Sequence, residues 1–223
     1  MASRRSYGSY SDGCASAHAL DLIGERWALL IVRELLLGPK RFGDLQRDVV
    51  GVGPTALTQR LHHLEEAGIV VRSRLPEPAR VMVYDLTGWG RELEAVNAAL
   101  SNWAVKSPSL PLQADMSPDT VVLAMRAHAR PGPARRRVVT VGLRLTDSRI
   151  EGSEPVTYRA TVASEGTTIE KVPELGEADA IVSTTTAAWK GCIIVGADLD
   201  PASVEGDPAA VRSLISATRL EIS

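Results

Sequence analysis

The chain has 223 residues, enough for one large domain or two modest ones, and its 44% hydrophobic and 23% charged residues are ordinary for a globular protein. A net charge of −2 gives no overall excess of positive charge that would indicate nucleic acid. No apolar run is long enough to span a bilayer, and the N-terminal stretch lacks the apolar segment of a signal peptide. With only two distant cysteines, the predicted location is the cytoplasm, with no membrane association.

The first elements along the chain are predicted helices. Residues 1–13 are predicted to form a flexible arm, followed by a short helix over Ser16–Ile23. Glu25–Leu37 is predicted to be a helix with apolar residues on two faces, so it should pack against more than one neighbour. A Gly-Pro pair ends it, and a third short helix is predicted over Arg41–Val49.

The stretch PTALTQRLHHLEEAG predicts an amphipathic helix, because Pro54 tolerates the first helical position and Gly68 suits the end. Leu57, Leu61 and Leu64 fall on one side of this helix and form its buried stripe. The opposite side is polar and mostly uncharged. Threonine, glutamine and histidine side chains can read bases or bond phosphates, although the same face could be an ordinary solvated surface.

A β-hairpin is predicted next, over Ile69–Leu75 and Arg80–Leu86, with a turn at residues 76–79. Helices followed by a hairpin with a basic tip predict a winged helix-turn-helix. In that arrangement the second helix of the motif enters the major groove and the wing meets phosphates or the minor groove. The candidate contacts to double-stranded DNA are Arg41, Thr55, Thr58, Gln59, Arg60, His62, His63, Arg72, Arg74 and Arg80.

A long helix is predicted from Thr87 to about Val105. Its apolar residues follow a 4-3-4-3 spacing, which is typical of the seam of a helix pair. The seam could pack on the chain's own core or form a homodimer, and a dimer would present two recognition helices to a pseudo-palindromic operator. The candidate dimer residues are Trp27, Trp89, Leu93, Val96, Leu100 and Trp103.

Three segments, CASAHALDLIGERWALLIVRELLLGPKRFGDL, LTQRLHHLEEAGIVVR and YDLTGWGREL, resemble the HxlR-type winged-helix transcriptional regulators over residues 14–105. The resemblance implies a homodimeric regulator, by default a repressor, that reads its operator with residues 55–63 and uses residues 72–80 as its wing. Several members of that family carry a redox- or electrophile-responsive cysteine where Cys14 stands. A helix N-terminus lowers a thiol pKa, but a free cysteine usually behaves as a small hydrophobic residue, and Cys14 could instead pack under the dimer interface.

The second half is predicted to begin after a linker at residues 107–116. Ser117-Pro118 starts a helix, and four or so strands with alternating residues follow, so an antiparallel sheet covered by helices is predicted. No nucleophile lies near a base, no phosphate loop follows a strand, and no ligand cluster has metal spacing. The prediction is therefore binding and not catalysis, with no cofactor and no metal.

Residues 177–217, EADAIVSTTTAAWKGCIIVGADLDPASVEGDPAAVRSLISA, resemble the end of the sterol-carrier-protein-type domain, within a similarity that covers about residues 115–220. That resemblance implies an apolar cavity for a fatty-acyl or other lipid-like effector. The residues that would line it, or would otherwise be plain core, are Val121, Met125, Leu143, Tyr158, Ile181, Trp189 and Ile194.

The predicted fold class is α+β: a winged-helix domain over residues 14–106 and a sterol-carrier-like sensor over residues 117–223. The predicted function is a homodimeric DNA-binding repressor modulated by an apolar small molecule. The alternative is a lipid carrier whose helical domain serves only for dimerisation.

Overall fold

The computed structural model describes residues 10–77, 80–132 and 137–220. The chain divides into two compact units, one ending at Glu94 and the other starting at Ala95. This division lies inside a helix, upstream of the predicted linker at residues 107–116. Most of the predicted arm, Pro78 and Ala79 of the predicted hairpin turn, and the last three residues of the predicted sensor domain lie outside the described residues.

The first unit has the predicted order of helices followed by a hairpin. Its helices and strands are α1 (Ala15–Ile23), α2 (Ala28–Leu35), α3 (Phe42–Asp48), α4 (Pro54–Glu66), β1 (Val70–Arg74), β2 (Met82–Leu86) and α5 (Gly88–Arg91). The helix predicted from Glu25 starts later, at Ala28, because Trp27 has a left-handed φ of 79° that a helical residue cannot adopt. Ile31, Val32 and Leu35 of α2 are fully buried in the core of this unit.

The long helix predicted from Thr87 is two helices, because the helical pattern is interrupted at Glu92. The short α5 begins where Thr87 Oγ1 accepts a hydrogen bond from the Gly90 amide at 3.0 Å. Any Cβ at Gly90 would collide with the carbonyl oxygen of Ile69, so this helix can lie against the start of the hairpin only with glycine there. The second helix, α6, spans Leu93–Ala104.

The second unit contains a five-stranded sheet and helices that pack on it. Its further elements are α7 (Pro118–Ala127), β3 (Val139–Thr146), β4 (Val156–Ala163), β5 (Gly166–Lys171), β6 (Ala180–Thr185), α8 (Thr186–Lys190), a π-helical turn (Gly191–Val195), a 3₁₀ turn (Pro201–Ser203), β7 (Val204–Gly206) and α9 (Pro208–Thr218). The strand order is β5-β4-β3-β6-β7. The predicted antiparallel sheet needs one correction, because β3 and β6 pair in parallel.

The parallel pair follows from the connections between strands. Strands β3, β4 and β5 form an antiparallel meander, whereas β6 returns to the other side of β3 and pairs with it from Val141↔Ala180 to Thr146↔Thr185. Tyr158, Ala160 and Val162 alternate on the buried side of β4, as the sequence pattern predicts. Within the described residues, no helix has both the length and the apolar composition needed to cross a bilayer.

Candidate nucleic-acid interface

Helix α4 presents one polar face to solvent. Leu57, Leu61 and Leu64 are at most 1% exposed and fix the helix on the core of the first unit. The exposed residues Thr55, Thr58, Gln59 and His62 follow the spacing i, i+3, i+4, i+7, which places them on a single face. Gly53 is the cap of this helix and supplies no side-chain acceptor, and Pro54 is the first helical residue. As at any helix start, the amides of the first turn have no intrahelical acceptors, and the positive end of the helix dipole suits a phosphate.

Two of the predicted DNA contacts on α4 instead hold the helix in place. The Arg60 guanidinium forms an ion pair with Glu25, and its side chain is only 15% exposed. His63 Nε2 lies 3.1 Å from the carbonyl oxygen of Leu22, near the end of α1. His62 remains exposed and pairs along the helix with Glu66, with His62 Nδ1 3.1 Å from Glu66 Oε2. The structure therefore separates an outward set of polar residues from an anchoring pair.

The hairpin carries three exposed arginines beside this helix. Arg72 and Arg74 stand on β1, opposite Tyr84 and Met82, and the Arg72 guanidinium lies 5.9 Å from the centre of the Tyr84 ring. Arg80 pairs with Glu77 at the far end of the hairpin. Arg41 is also exposed, at the residue that precedes α3.

A buried charge cluster joins the elements behind this surface. The Lys40 ammonium donates to Glu34 Oε2 at 2.8 Å and to Asp48 Oδ2 at 2.9 Å, and these three side chains are at most 9% exposed. The backbone of Lys40 also pairs with Tyr84, which fixes the base of the hairpin to the loop before α3. Burial raises the pKa of the Asp48 carboxyl, but hydrogen bonds from Arg47 and the charge of Lys40 outweigh burial and leave the pKa lowered. The sequence analysis missed this cluster.

The predicted dimer residues are mostly exposed. Trp89, Val96, Leu100 and Trp103 are 53%, 40%, 44% and 78% exposed, and none of the residues of α6 is buried. Leu93 is half-buried. Trp27 is also half-buried, and its ring lies 4.5 Å from the Arg26 guanidinium, so it belongs partly to the surface of the first unit.

The residues predicted to line an apolar pocket lie in a packed core. Tyr158 donates from its hydroxyl to Asp119 Oδ1 at 2.6 Å, and Trp189 donates from Nε1 to Met125 Sδ at 3.1 Å. None of the predicted residues borders either of two open cavities that lie beside α9. All but Ile181 are buried, and Ile181 is half-buried: Val121, Met125, Leu143, Tyr158, Trp189 and Ile194 are each at most 5% exposed. That these residues line an apolar pocket stays a prediction.

Cys14 is the exposed residue that caps α1. Its Sγ lies 3.0 Å from Ser16 Oγ. This side-chain hydrogen bond, with further hydrogen bonds from the backbone amides of Ser16 and Ala17, lowers the pKa of the thiol.

An exposed polar helix, anchored by leucines and followed by an arginine-bearing hairpin, defines a winged helix-turn-helix DNA-binding protein. The family model for the HxlR-like helix-turn-helix matches residues 22–109. The HTH-type transcriptional regulator YodB of Bacillus subtilis is 38% identical over 86 residues, which cover 39% of this chain and 77% of YodB. The uncharacterized HTH-type transcriptional regulator sll1512 of Synechocystis is 37% identical over 94 residues, 40% of this chain and 70% of that protein.

Solved structures of similar proteins include the reduced form of YodB from B. subtilis, at 35% identity and a TM-score of 0.39, over 43% of this chain and 95% of that one. The oxidized form of the redox regulator HypR is 29% identical, with a TM-score of 0.40, over 44% of this chain and 100% of that one. On the evidence of the sequence relatives, the chain belongs to the HxlR-like helix-turn-helix family. It is a DNA-binding transcription regulator and not an enzyme.

Proposed function

We propose that the protein is a homodimeric repressor that reads a two-fold operator with α4 and holds the DNA backbone with its hairpin. The observation that carries this proposal is the single exposed face of Thr55, Thr58, Gln59 and His62, next to a hairpin with exposed arginines. Glutamine can bond adenine through two hydrogen bonds, and a threonine methyl can contact the thymine methyl. Arginines on the hairpin supply contacts to phosphate that carry no sequence information.

The exposed apolar face of α6 supports the dimer. Val96, Leu100 and Trp103 follow the spacing i, i+4, i+7, lie on one side of the helix and are all exposed. A second copy that packs against this side removes apolar surface from water, which stabilises association. A homodimer also explains how a small DNA-binding unit gains affinity and specificity, since two copies bind two half-sites.

The second unit is the proposed sensor, a sterol-carrier-like domain over residues 117–223 that takes an apolar effector. Its mixed sheet with packed helices, and an open cavity beside α9, support a binding domain. Cys14 is a second proposed input, because its thiol is exposed and has a lowered pKa. Oxidation or alkylation of this thiol would change the charge and bulk at the start of α1.

Gel shifts on an operator selected from random duplexes test the proposed DNA contacts. We expect Gln59→Ala and Thr55→Ala each to weaken binding to the selected operator by about 1–3 kcal/mol and to leave binding to random DNA unchanged. Arg74→Ala should weaken binding to both DNAs and reduce the salt slope by about one. Gln113→Ala and Arg137→Ala, exposed residues of the second unit, serve as controls. If the α4 variants bind the operator as the controls do, α4 does not read it.

The alternative function, a lipid carrier whose helical half only dimerises, makes the opposite prediction. A carrier would bind duplex DNA with no sequence preference, and selection from random duplexes would return no consensus. Recovery of a two-fold consensus excludes the carrier as the complete function.

A further inference from the structure

The cavity of the proposed sensor is an open groove in the second unit. It has a volume of about 880 Å³, within the range of roughly 300–1,000 Å³ typical of small-molecule sites. The groove runs between α9 and the segment that follows the π-helical turn. Its lining is mixed in polarity, and its apolar side chains include Leu199, Pro201, Val204, Pro208, Val211 and Ile215.

Positive charge exceeds negative charge along this groove. Arg130, Arg212 and Arg219 border it, against one acidic lining residue, Asp198. A second cavity of about 650 Å³ lies on the other side of α9 and shares Arg130 and Arg212 with the groove. Arg130 and Arg212 therefore stand between the two cavities, whereas Arg219 borders only the groove.

The arginines have different roles in holding this arrangement. Arg130 Nη2 donates to the carbonyl oxygens of Ser216 and Arg219, at 2.8 and 3.0 Å, and so fixes the end of α9. The Arg219 guanidinium lies against Gly196, whose φ of 72° and lack of Cβ leave room for it. Within residues 10–77, 80–132 and 137–220, Arg212 and Arg219 form no ion pair, so two guanidinium groups have no carboxylate partner in the described part of the chain.

We infer that this groove binds a small amphipathic carboxylic acid, with its apolar body along α9 and its carboxylate at Arg212 and Arg219. A guanidinium pairs with a carboxylate through two parallel, charge-assisted hydrogen bonds, whereas a hydroxyl oxygen accepts only a weaker neutral hydrogen bond and a cationic head group is repelled. The inference rests on the proposed sensor function, which it makes specific by giving the effector a charge, a place and a set of contacts.

Calorimetric titration of the full-length protein tests the inference with three probes that share one chain length: decanoate, decan-1-ol and decyltrimethylammonium. We expect decanoate to bind saturably, decan-1-ol to bind at least about tenfold more weakly, and the cation not to bind. The double variant Arg212→Gln/Arg219→Gln should weaken decanoate binding by about tenfold or more and leave decan-1-ol within about twofold. Leu199→Asp, which places a negative charge on the apolar wall, should abolish decanoate binding.

Arg144→Gln is the matched control, because Arg144 is a half-buried arginine of β3 that borders neither cavity. Far-ultraviolet circular dichroism checks that each variant is folded. Absence of saturable decanoate binding to the folded wild type, or equal loss in the control and the double variant, overturns the inference. A gel shift with and without decanoate decides separately whether the groove regulates DNA binding. Failure of the groove to bind decanoate appears in the calorimetry, whereas failure of bound decanoate to regulate appears only in the gel shift.

Discussion

Lys40 is the residue whose removal tests the buried charge cluster most directly. In Lys40→Met, the aliphatic stem of the side chain is largely kept, but two carboxylates lose their shared ammonium. Glu34 is fully buried and Asp48 is 6% exposed, so neither can regain full hydration without local opening of the fold. Breaking a buried ion pair by removing one partner costs about 3–5 kcal/mol, because the remaining charge is left buried.

The remaining partners reduce this cost. Arg33 still pairs with Glu34 at 2.9 Å, and Arg47 still pairs with Asp48 at 2.9 Å, although the two arginine side chains are 27% and 50% exposed. We therefore expect a loss of about 2–3 kcal/mol, which corresponds to roughly 30- to 150-fold faster exchange of the amides of α2 and α3. Hydrogen–deuterium exchange read by mass spectrometry measures this in the full chain, and it separates the first unit from the second.

Two comparisons make the result interpretable. Lys106→Met removes an exposed lysine and should change exchange in α2 by less than about 0.5 kcal/mol. Glu34→Gln and Asp48→Asn, added to Lys40→Met, neutralise the stranded carboxylates and should recover at least half of the loss. If Lys40→Met behaves as Lys106→Met does, the cluster contributes nothing to the first unit and the reasoning from burial is refuted.

Three further outcomes are expected. Leu100→Glu/Trp103→Glu should convert a dimer to a monomer in sedimentation velocity; a dimer that persists excludes the α6 face. Burial, with the charge of Arg130, lowers the pKa of His128. The unfolded chain therefore binds this proton more readily, and stability falls as the pH drops below the unfolded pKa of about 6.5. His128→Gln should reduce the pH dependence of the unfolding free energy between about pH 7 and 5, measured by urea titration. An unchanged pH dependence shows that other groups cause it. Ser16→Ala should slow iodoacetamide alkylation of Cys14 at neutral pH, and an unchanged rate contradicts the assigned hydrogen bond.

Periodic patterns in the sequence predicted the elements of the first unit, because each pattern is local. The leucines of α4 repeat at helical spacing, so the buried side of that helix and its polar side followed directly. The roles of Arg60 and His63 did not follow, because their partners, Glu25 and the Leu22 carbonyl, lie far away in the chain. A basic residue on a helix gives the same sequence pattern whether it contacts DNA or anchors the helix.

The second unit was less predictable for a related reason. Alternation identified strands such as β4, but the parallel pairing of β3 with β6 depends on where the chain returns, which no local pattern encodes. Apolar residues such as Val121 and Leu143 give the same sequence pattern whether they pack in a core or line a pocket. The groove beside α9 is formed by that helix and by residues 196–204, a segment whose sequence has little periodicity.

Helix α6 offers a route by which the groove could act on the proposed dimer. Val96, Leu100 and Trp103 face solvent, whereas Asn102 donates to the Ala127 carbonyl oxygen at 3.1 Å and Ser101 Oγ lies 3.5 Å from His128 Nε2. Only one residue separates His128 from Arg130, which borders the groove and fixes the end of α9. If Arg130 takes two positions and the ligand binds the protein more tightly in one of them, ligand binding would therefore shift α6 through contacts inside the second unit. The effector signal would then reach the dimer interface before it reaches the DNA-reading helix.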